Sequence, residues 1–423
     1  MRILILEKSI PMFQKIFHHR LFRQFVQMTF WRIFALAFGA AASIWAARCL
    51  GPDNLGISAM VIAVIGQCSL LVVLNLNPLL IREYKKRSSE EEKEALMTTV
   101  FTYRLVIGIL LSLITVSVLW ASGVSGKWWL AILAGVPYFV MTSNDANWAL
   151  MAQENLPAQH RSLAIKSVIT AALYFGFFRP GVGAGWDVVV QTIAYIIAIR
   201  IAWKWAAQGK KITLVNFKKL RDVWPLIKEG RWLFLTGIVT YIYNFFDSPL
   251  IGWLYSIHEL GQYRSATLAV GAAYSFLLLI HGLLYPRFIE WQKQGKDALW
   301  QKQKMLFSFG LICLIPAIAL TFWLAPWFYK LYGPKFTDAA YPFAILLTAK
   351  YVSTISAVFT LGLWAQHRDR AMLAITGAAA IFSLCMNLIL IPHYGMHAAA
   401  CVNLASEAFI LIVAFFWSRK KQR

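Results

Sequence analysis

The chain reads as a succession of apolar stretches, most about twenty residues long, divided by short polar segments. That is the length an α-helix needs to cross the roughly 30 Å hydrocarbon core of a bilayer. Twelve such spans are predicted, at about 30–50, 57–81, 98–120, 127–148, 162–178, 184–205, 231–253, 265–285, 306–329, 339–364, 371–391 and 395–417. Prolines interrupt several of them (Pro78, Pro137, Pro249, Pro316, Pro326). Spanning helices tolerate proline where neighbours or water satisfy the freed carbonyl. Broken helices often line transporter substrate paths, though they also occur without that role. The pattern predicts an all-α polytopic membrane protein.

The polar segments predict its orientation. Lys and Arg accumulate in the N-terminal arm, after spans 2, 4, 6, 8 and 10, and in the tail, where 29 of the 41 lie. The alternate loops hold only 6, namely Arg48, Lys127, Arg179, Arg264, Lys330 and Lys335. Basic loops stay in the cytoplasm, so both termini are expected there. Residues 11–26 and 206–229 read as basic amphipathic helices lying on a membrane surface. The expected layout is an arm over 1–29, a six-helix bundle over 30–205, a linker over 206–229, a second six-helix bundle over 230–417 and a tail over 418–423. DNLGISA (53–59) entering span 2 is echoed by HELGQYRSA (258–266) entering span 8, which suggests two repeats, a common build of secondary transporters.

Composition removes one competing class. The 423 residues carry a formal net charge of +22, a balance that also suits nucleic-acid binding. Yet 59% are hydrophobic and 14% charged, against about 25% charged in an average soluble domain. Five scattered cysteines at no CxxC spacing give neither a disulfide framework nor a metal site, and no cofactor is expected. No cleavable signal peptide is evident, because ILIL at 3–6 is too short. Trp128, Trp203, Trp253, Trp327 and other aromatics at span ends fit interfacial belts.

Ionisable residues inside spans are the candidates for function. Arg32, Lys166, Arg200 and Arg231 lie within about two turns of the cytoplasmic face, where their heads can snorkel to the interface. Together with the deeper Arg104 they would alternatively form a ring of positive charge suited to a phosphate-bearing lipid. Lys350, Asp247 and Glu407 are deeper. A structural ion pair of Lys350 with Glu407 is one reading. Substrate contact for Lys350, with cation or proton coupling at the acids, is the other. Asp145 and His281 can reach water, and Asp187 reads as a helix cap.

Several segments resemble the oligosaccharide flippase (polysaccharide transporter, Wzx-like) family of the multidrug/oligosaccharidyl-lipid/polysaccharide exporter superfamily. AARCLGPDNLG (46–56) resembles its A-R-x-L-G-P-x-x-Y/L-G signature, and REYKK from Arg82 resembles the motif after its span 2. Trp148 with Glu154 is similar to its W-x-x-x-G-x-E element, with Ala152 in place of Gly. Asp247 through Gly252 with GQY (261–263), LYGPKFTDAA (331–340) and MNLILIPHYGMHAAA (386–400) match later elements, with His397 in place of Gly. The resemblance runs nearly end to end. It implies a transporter rather than an enzyme, in a bacterial inner membrane. The implied cargo is an undecaprenyl-pyrophosphate-linked repeat unit of O-antigen, lipopolysaccharide or capsule. It implies alternating access, with a cavity lined by spans 1, 2, 7 and 8, H+ or Na+ coupling, and polymerase or chain-length proteins as candidate partners. Carried onto this chain, it assigns Arg32 and Arg48 to span 1, Asp247 to the span 7 acid and Asn387 to the span 11 asparagine. Substrate binding is thus expected at Arg32, Arg48, Arg104, Arg200, Arg231 and Lys350, and ion coupling at Asp247, Asn387 and Glu407. A multidrug or cation exporter of the same superfamily, a membrane-embedded polysaccharide polymerase or ligase, and a structural scaffold remain as alternatives. The first favours an acidic cavity and the second a large outer loop.

Overall fold

The computed structural model describes residues 20–121, 123, 126–208, 215–366 and 368–419, and among them the backbone is helical nearly throughout, with no strand. Six continuous stretches are long and apolar enough to cross a membrane: Val26–Lys86, Glu90–Ala121, Ala184–Ala206, Asp297–Trp327, Pro334–Ala365 and Arg370–Arg419. Two of them cannot be single crossings. Val26–Lys86 has 61 residues and Arg370–Arg419 has 50. At helical rise these would extend about 90 and 75 Å through a core of about 30 Å. Each contains one glycine off the helical conformation, Gly51 at φ 72° and Gly395 at φ 54°. Glycine reaches such angles without a Cβ penalty, so the chain turns there into spans 1 and 2, and into spans 11 and 12. Gly126–Ser143, Leu156–Phe177, Arg231–Phe245 with Asp247–Leu254, and Ile257–Lys293 supply spans 4, 5, 7 and 8. The helices therefore account for the twelve expected spans.

Boundaries shift for local reasons. Span 8 starts at Ile257 rather than near 265, because the Ser256 hydroxyl accepts from the Glu259 N–H at 3.3 Å and caps the helix. Span 7 is broken at Phe246. Span 2 ends at Val73, where Leu74 and Asn75 take φ of 52° and 51°, and a new helix runs Asn77–Lys86 with Pro78 in its first turn. The amphipathic helix expected over 11–26 lies mostly outside the described residues, as do 209–214 of the linker and 420–423 of the tail. What is described of the linker is a 3₁₀ turn, Phe217–Val223, then a short helix, Trp224–Glu229, rather than one amphipathic helix.

Spans 1–6 pack on one another, as do spans 7–12. The ends of spans 2, 4 and 6 share an apolar cluster that includes Leu80, Tyr84, Leu96, Trp148, Trp203 and Leu226. This is the basic end of the molecule. At the other end, a cluster with Leu50, Phe178, Ile251, Phe336 and Met396 joins the turns after spans 1, 5, 7, 9 and 11. The halves meet along two lines. Spans 2 and 7 run side by side: the Tyr241 hydroxyl reaches the Ala63 carbonyl (3.5 Å), Asn75 Nδ2 donates to the Leu233 carbonyl (2.9 Å), and Arg82 pairs with Glu229. Span 8 packs against the helix of spans 1 and 2.

Candidate functional site

A buried polar cluster lies in the C-terminal half, where residues of spans 7, 10 and 12 meet. Lys350, ten residues into the Ala340–Ala365 helix, places Nζ 3.4 Å from Glu407 Oε1; the two side chains are 18% and 5% exposed. Its ammonium also lies 5.5 Å from the centre of the Tyr274 ring, a cation–π distance. Tyr243 stands beside Glu407. One helical turn beyond Tyr243 is Asp247, the first residue after the break in span 7. A carboxylate there meets the positive end of the new helix. Its Oδ1 accepts from the Ser248 N–H at 2.7 Å, its Oδ2 accepts from the Tyr263 hydroxyl, and Lys350 is near enough to act on its charge. The cluster thus holds two carboxylates to one ammonium. Asn387 is buried and donates to Ser383 at 3.3 Å, while its Oδ1, Asn403 Oδ1 and Ser406 Oγ have no hydrogen-bond partner among the described residues.

The N-terminal half holds aromatic rings and cations of its own. Lys166 sits 4.0 Å from the centre of the Tyr195 ring, and Tyr195 meets Tyr138 edge to face at 5.1 Å. Asp187 does not cap span 6 as expected, since the helix starts at Ala184 with Gly183 as its N-cap and no side-chain cap bond; buried in the first turn, it accepts instead from the Tyr174 hydroxyl. Arg264 of span 8 reaches across and acts electrostatically on Tyr138, Tyr174 and Tyr332. The sequence reading placed Arg264 in an outer loop. The Ser256-x-x-Glu259 cap was the signal that puts it two turns inside a helix.

The cationic ring expected near the basic end is not assembled. Arg104 is 3% exposed inside the N-terminal half, where it donates to Asn77 Oδ1 at 2.8 Å and feels Asp145, which itself accepts from the Asn147 N–H. Its guanidinium is thus held inside the N-terminal bundle. Arg200 and Arg231 are exposed, the latter with its guanidinium 5.7 Å from the Trp232 ring. Arg32 is half-buried near His160. Arg48 lies at the opposite end and donates to the carbonyls of Lys330 and Leu331 at 2.5 and 2.6 Å, closing the C-terminal end of the short helix Phe328–Tyr332. His281 faces the Tyr274 ring at 6.3 Å. Of the nine expected site residues, Lys350 and Glu407 form a direct pair, Asp247 joins them electrostatically, and the arginines are dispersed. A separate apolar cavity of about 630 Å³ opens between spans 2, 3, 4 and 7, lined by Val64, Cys68, Thr115, Ile132, Phe139 and Trp253 among others.

Known proteins share this architecture. The chain is 20% identical over 244 residues (55% of this chain, 49% of the relative) to a probable low-salt glycan biosynthesis flippase, Agl15, of Haloferax volcanii. It is 24% identical over 280 residues (63% and 54%) to an uncharacterized membrane protein of Methanocaldococcus jannaschii. The chain thus spans about half the length of the curated relatives it matches. Among solved structures, the lipid II flippase MurJ in an inward closed conformation superposes with a TM-score of 0.72 at 13% identity, over 93% of this chain and 88% of that one. An inward-facing multidrug resistance MATE family transporter of the MOP superfamily follows at 0.59 and 15%, over 91% and 94%. These two likenesses establish the fold. The family model for polysaccharide biosynthesis proteins matches residues 21–292, well over half of the chain, and the protein belongs to that family.

Proposed function

We propose that this chain flips a polyprenyl-pyrophosphate-linked oligosaccharide from the cytoplasmic to the outer leaflet of the cytoplasmic membrane, by alternating access between its two halves. The observation that carries the reading is that, in a polysaccharide biosynthesis family member, Lys166, Arg264 and Lys350 stand among aromatic rings between the helices. A pyrophosphate entering a low-dielectric interior needs opposite charge there to offset its desolvation. Sugars offer flat apolar faces to Tyr195 and Tyr274. The description of the Haloferax relative as a glycan biosynthesis flippase agrees. The basic end is cytoplasmic by the positive-inside rule. The lipid tail stays in the bilayer while the headgroup enters between spans 1 and 8, whose basic-end halves expose Phe30, Ile33, Phe38 and Phe276. Arg32 greets the diphosphate at that entrance. Asp247, Glu407 and Asn387 form the coupling site, because two carboxylates beside one ammonium leave room for a proton or a Na+ ion. The specific form of the proposal is an undecaprenyl carrier and a bacterial O-antigen or capsule repeat unit.

The test is reconstitution. Proteoliposomes with a fluorescently labelled polyprenyl-pyrophosphate oligosaccharide should show label crossing the bilayer in a protein-dependent manner. Asp247→Asn should slow it by at least an order of magnitude, on the scale of a lost buried polar contact. Transport of cationic drugs with no movement of the labelled lipid would move the chain to the exporter alternative.

A further inference from the structure

The echoed segments that enter spans 2 and 8 touch each other, and they do so symmetrically. Pro52 and Ile257 are the first helical residues of the two spans after the turn at Gly51 and the cap at Ser256. Gly56 and Gly261 each lie four residues further on. A Cβ built on Gly56 would collide with the carbonyl of Ile257, and one built on Gly261 would collide with the carbonyl of Pro52. Each glycine thus meets the first carbonyl of the other helix, with a Cα–H in place of a side chain, the close approach that glycine permits where helices cross. Between these contacts Asp53 Oδ1 and His258 Nδ1 are 2.8 Å apart, at a sequence separation of 205. The pairs 52 and 257, 53 and 258, and 56 and 261 all share that offset.

The next residue of each half extends the symmetry. Asn54 donates from Nδ2 to the Val182 carbonyl at 3.2 Å, in the loop between spans 5 and 6. Glu259, its counterpart, accepts from the Met396 N–H at 2.9 Å, in the turn between spans 11 and 12. Each echoed segment is therefore tied to the last loop of its own half and pressed against the other segment. Both are buried on the packed side through Leu55 and Leu260, which also share the offset.

We infer that these two segments form a self-complementary latch that holds the non-basic end of the molecule shut, and that releasing it is the step that opens the seam outward. The inference rests on the alternating-access reading of the function. The obstacle at each glycine is backbone, so no rotamer change can make room for a methyl group. Alanine at either position must separate the two helix ends. Because the contact is symmetric, the two substitutions have equivalent effects.

A cross-link reads the latch without any substrate. In a variant with its five cysteines replaced by serine, Asp53→Cys and His258→Cys are joined by a short bifunctional thiol reagent in proteoliposomes. Cross-linking should be efficient and should stop flipping of the labelled lipid, and cleaving the linker should restore it. Adding Gly56→Ala or Gly261→Ala should lower the cross-linking yield on the order of tenfold, to the same extent for each, as expected when overpacking strain shifts a two-state equilibrium. Gly271→Ala in span 8, where a Cβ would meet nothing within 4 Å, should leave the yield unchanged. Equal yields in all three backgrounds overturn the latch, as does full flipping by cross-linked protein. The second criterion applies even if the glycine variants fail to fold. Normal cross-linking behaviour with no lipid transport by the unmodified protein would instead remove the functional reading and leave the latch standing.

Discussion

At the scale of single residues, depth in the sequence and depth in the fold are different quantities. Lys350 and Glu407 were legible as buried because each stands mid-span in apolar sequence, and they do pair. Arg104 looked like its neighbours along the chain, but Asn77 and Asp145 enclose its guanidinium. Sequence could not show this, since those partners come from other helices. Two measurements separate structural from functional charge. Lys350→Met leaves Glu407 buried without its cation and should destabilise the protein by about 3–5 kcal/mol. Lys350→Met with Glu407→Gln should recover most of that stability in detergent unfolding, yet remain inactive in flipping if Lys350 binds the headgroup. Arg104→Met should likewise lower stability and membrane yield by breaking a buried network. Arg231→Ala at the exposed basic end should leave stability within about 0.5 kcal/mol of the parent and membrane yield unchanged.

At the scale of helices, hydrophobic runs located the spans, but polar caps and glycine turns set their ends. The start of span 8 was misplaced because the eight residues after Ser256 are polar enough to resemble a loop. A helix buried against neighbours can carry such residues, since the partner helix rather than lipid receives them. This is why Arg264 escaped notice. The break in span 7 was attributed to Pro249, yet it falls at Phe246, and the proline occupies the first turn of the following helix, where its missing N–H is harmless. The two hairpin turns make a sharper claim. Gly51→Ala forces an L-residue to φ 72° and ψ 172°, a region that costs on the order of 1–3 kcal/mol to occupy. Gly183→Ala, at ordinary dihedrals with open space around it, should cost little. Thermal unfolding of the two variants in the same detergent checks the difference.

At the scale of the whole molecule, the Lys and Arg alternation was the most readable signal. Among the described residues, the segments after spans 2, 4 and 6 meet at one end, in the cluster around Trp148 and Trp203. A reporter enzyme that works only in the cytoplasm, fused after Arg423, should therefore be active, and a periplasmic-type reporter at that site silent. What the sequence left open was how the halves meet, because contacts between residues 205 positions apart have no local pattern. The faint echo at 53–59 and 258–266 was the only trace, and its meaning lies in the contact it makes. A contact that reads the same from either side is the kind two copies of one unit make. A six-span unit carrying one such segment, set beside an identical copy with its ends facing the same way, would make this contact twice about a dyad along the membrane normal. The glycine crossing is then the dimer interface such an ancestor would have used, kept after fusion through the linker had made the two copies one chain and free to drift to Asp53 on one side and His258 on the other.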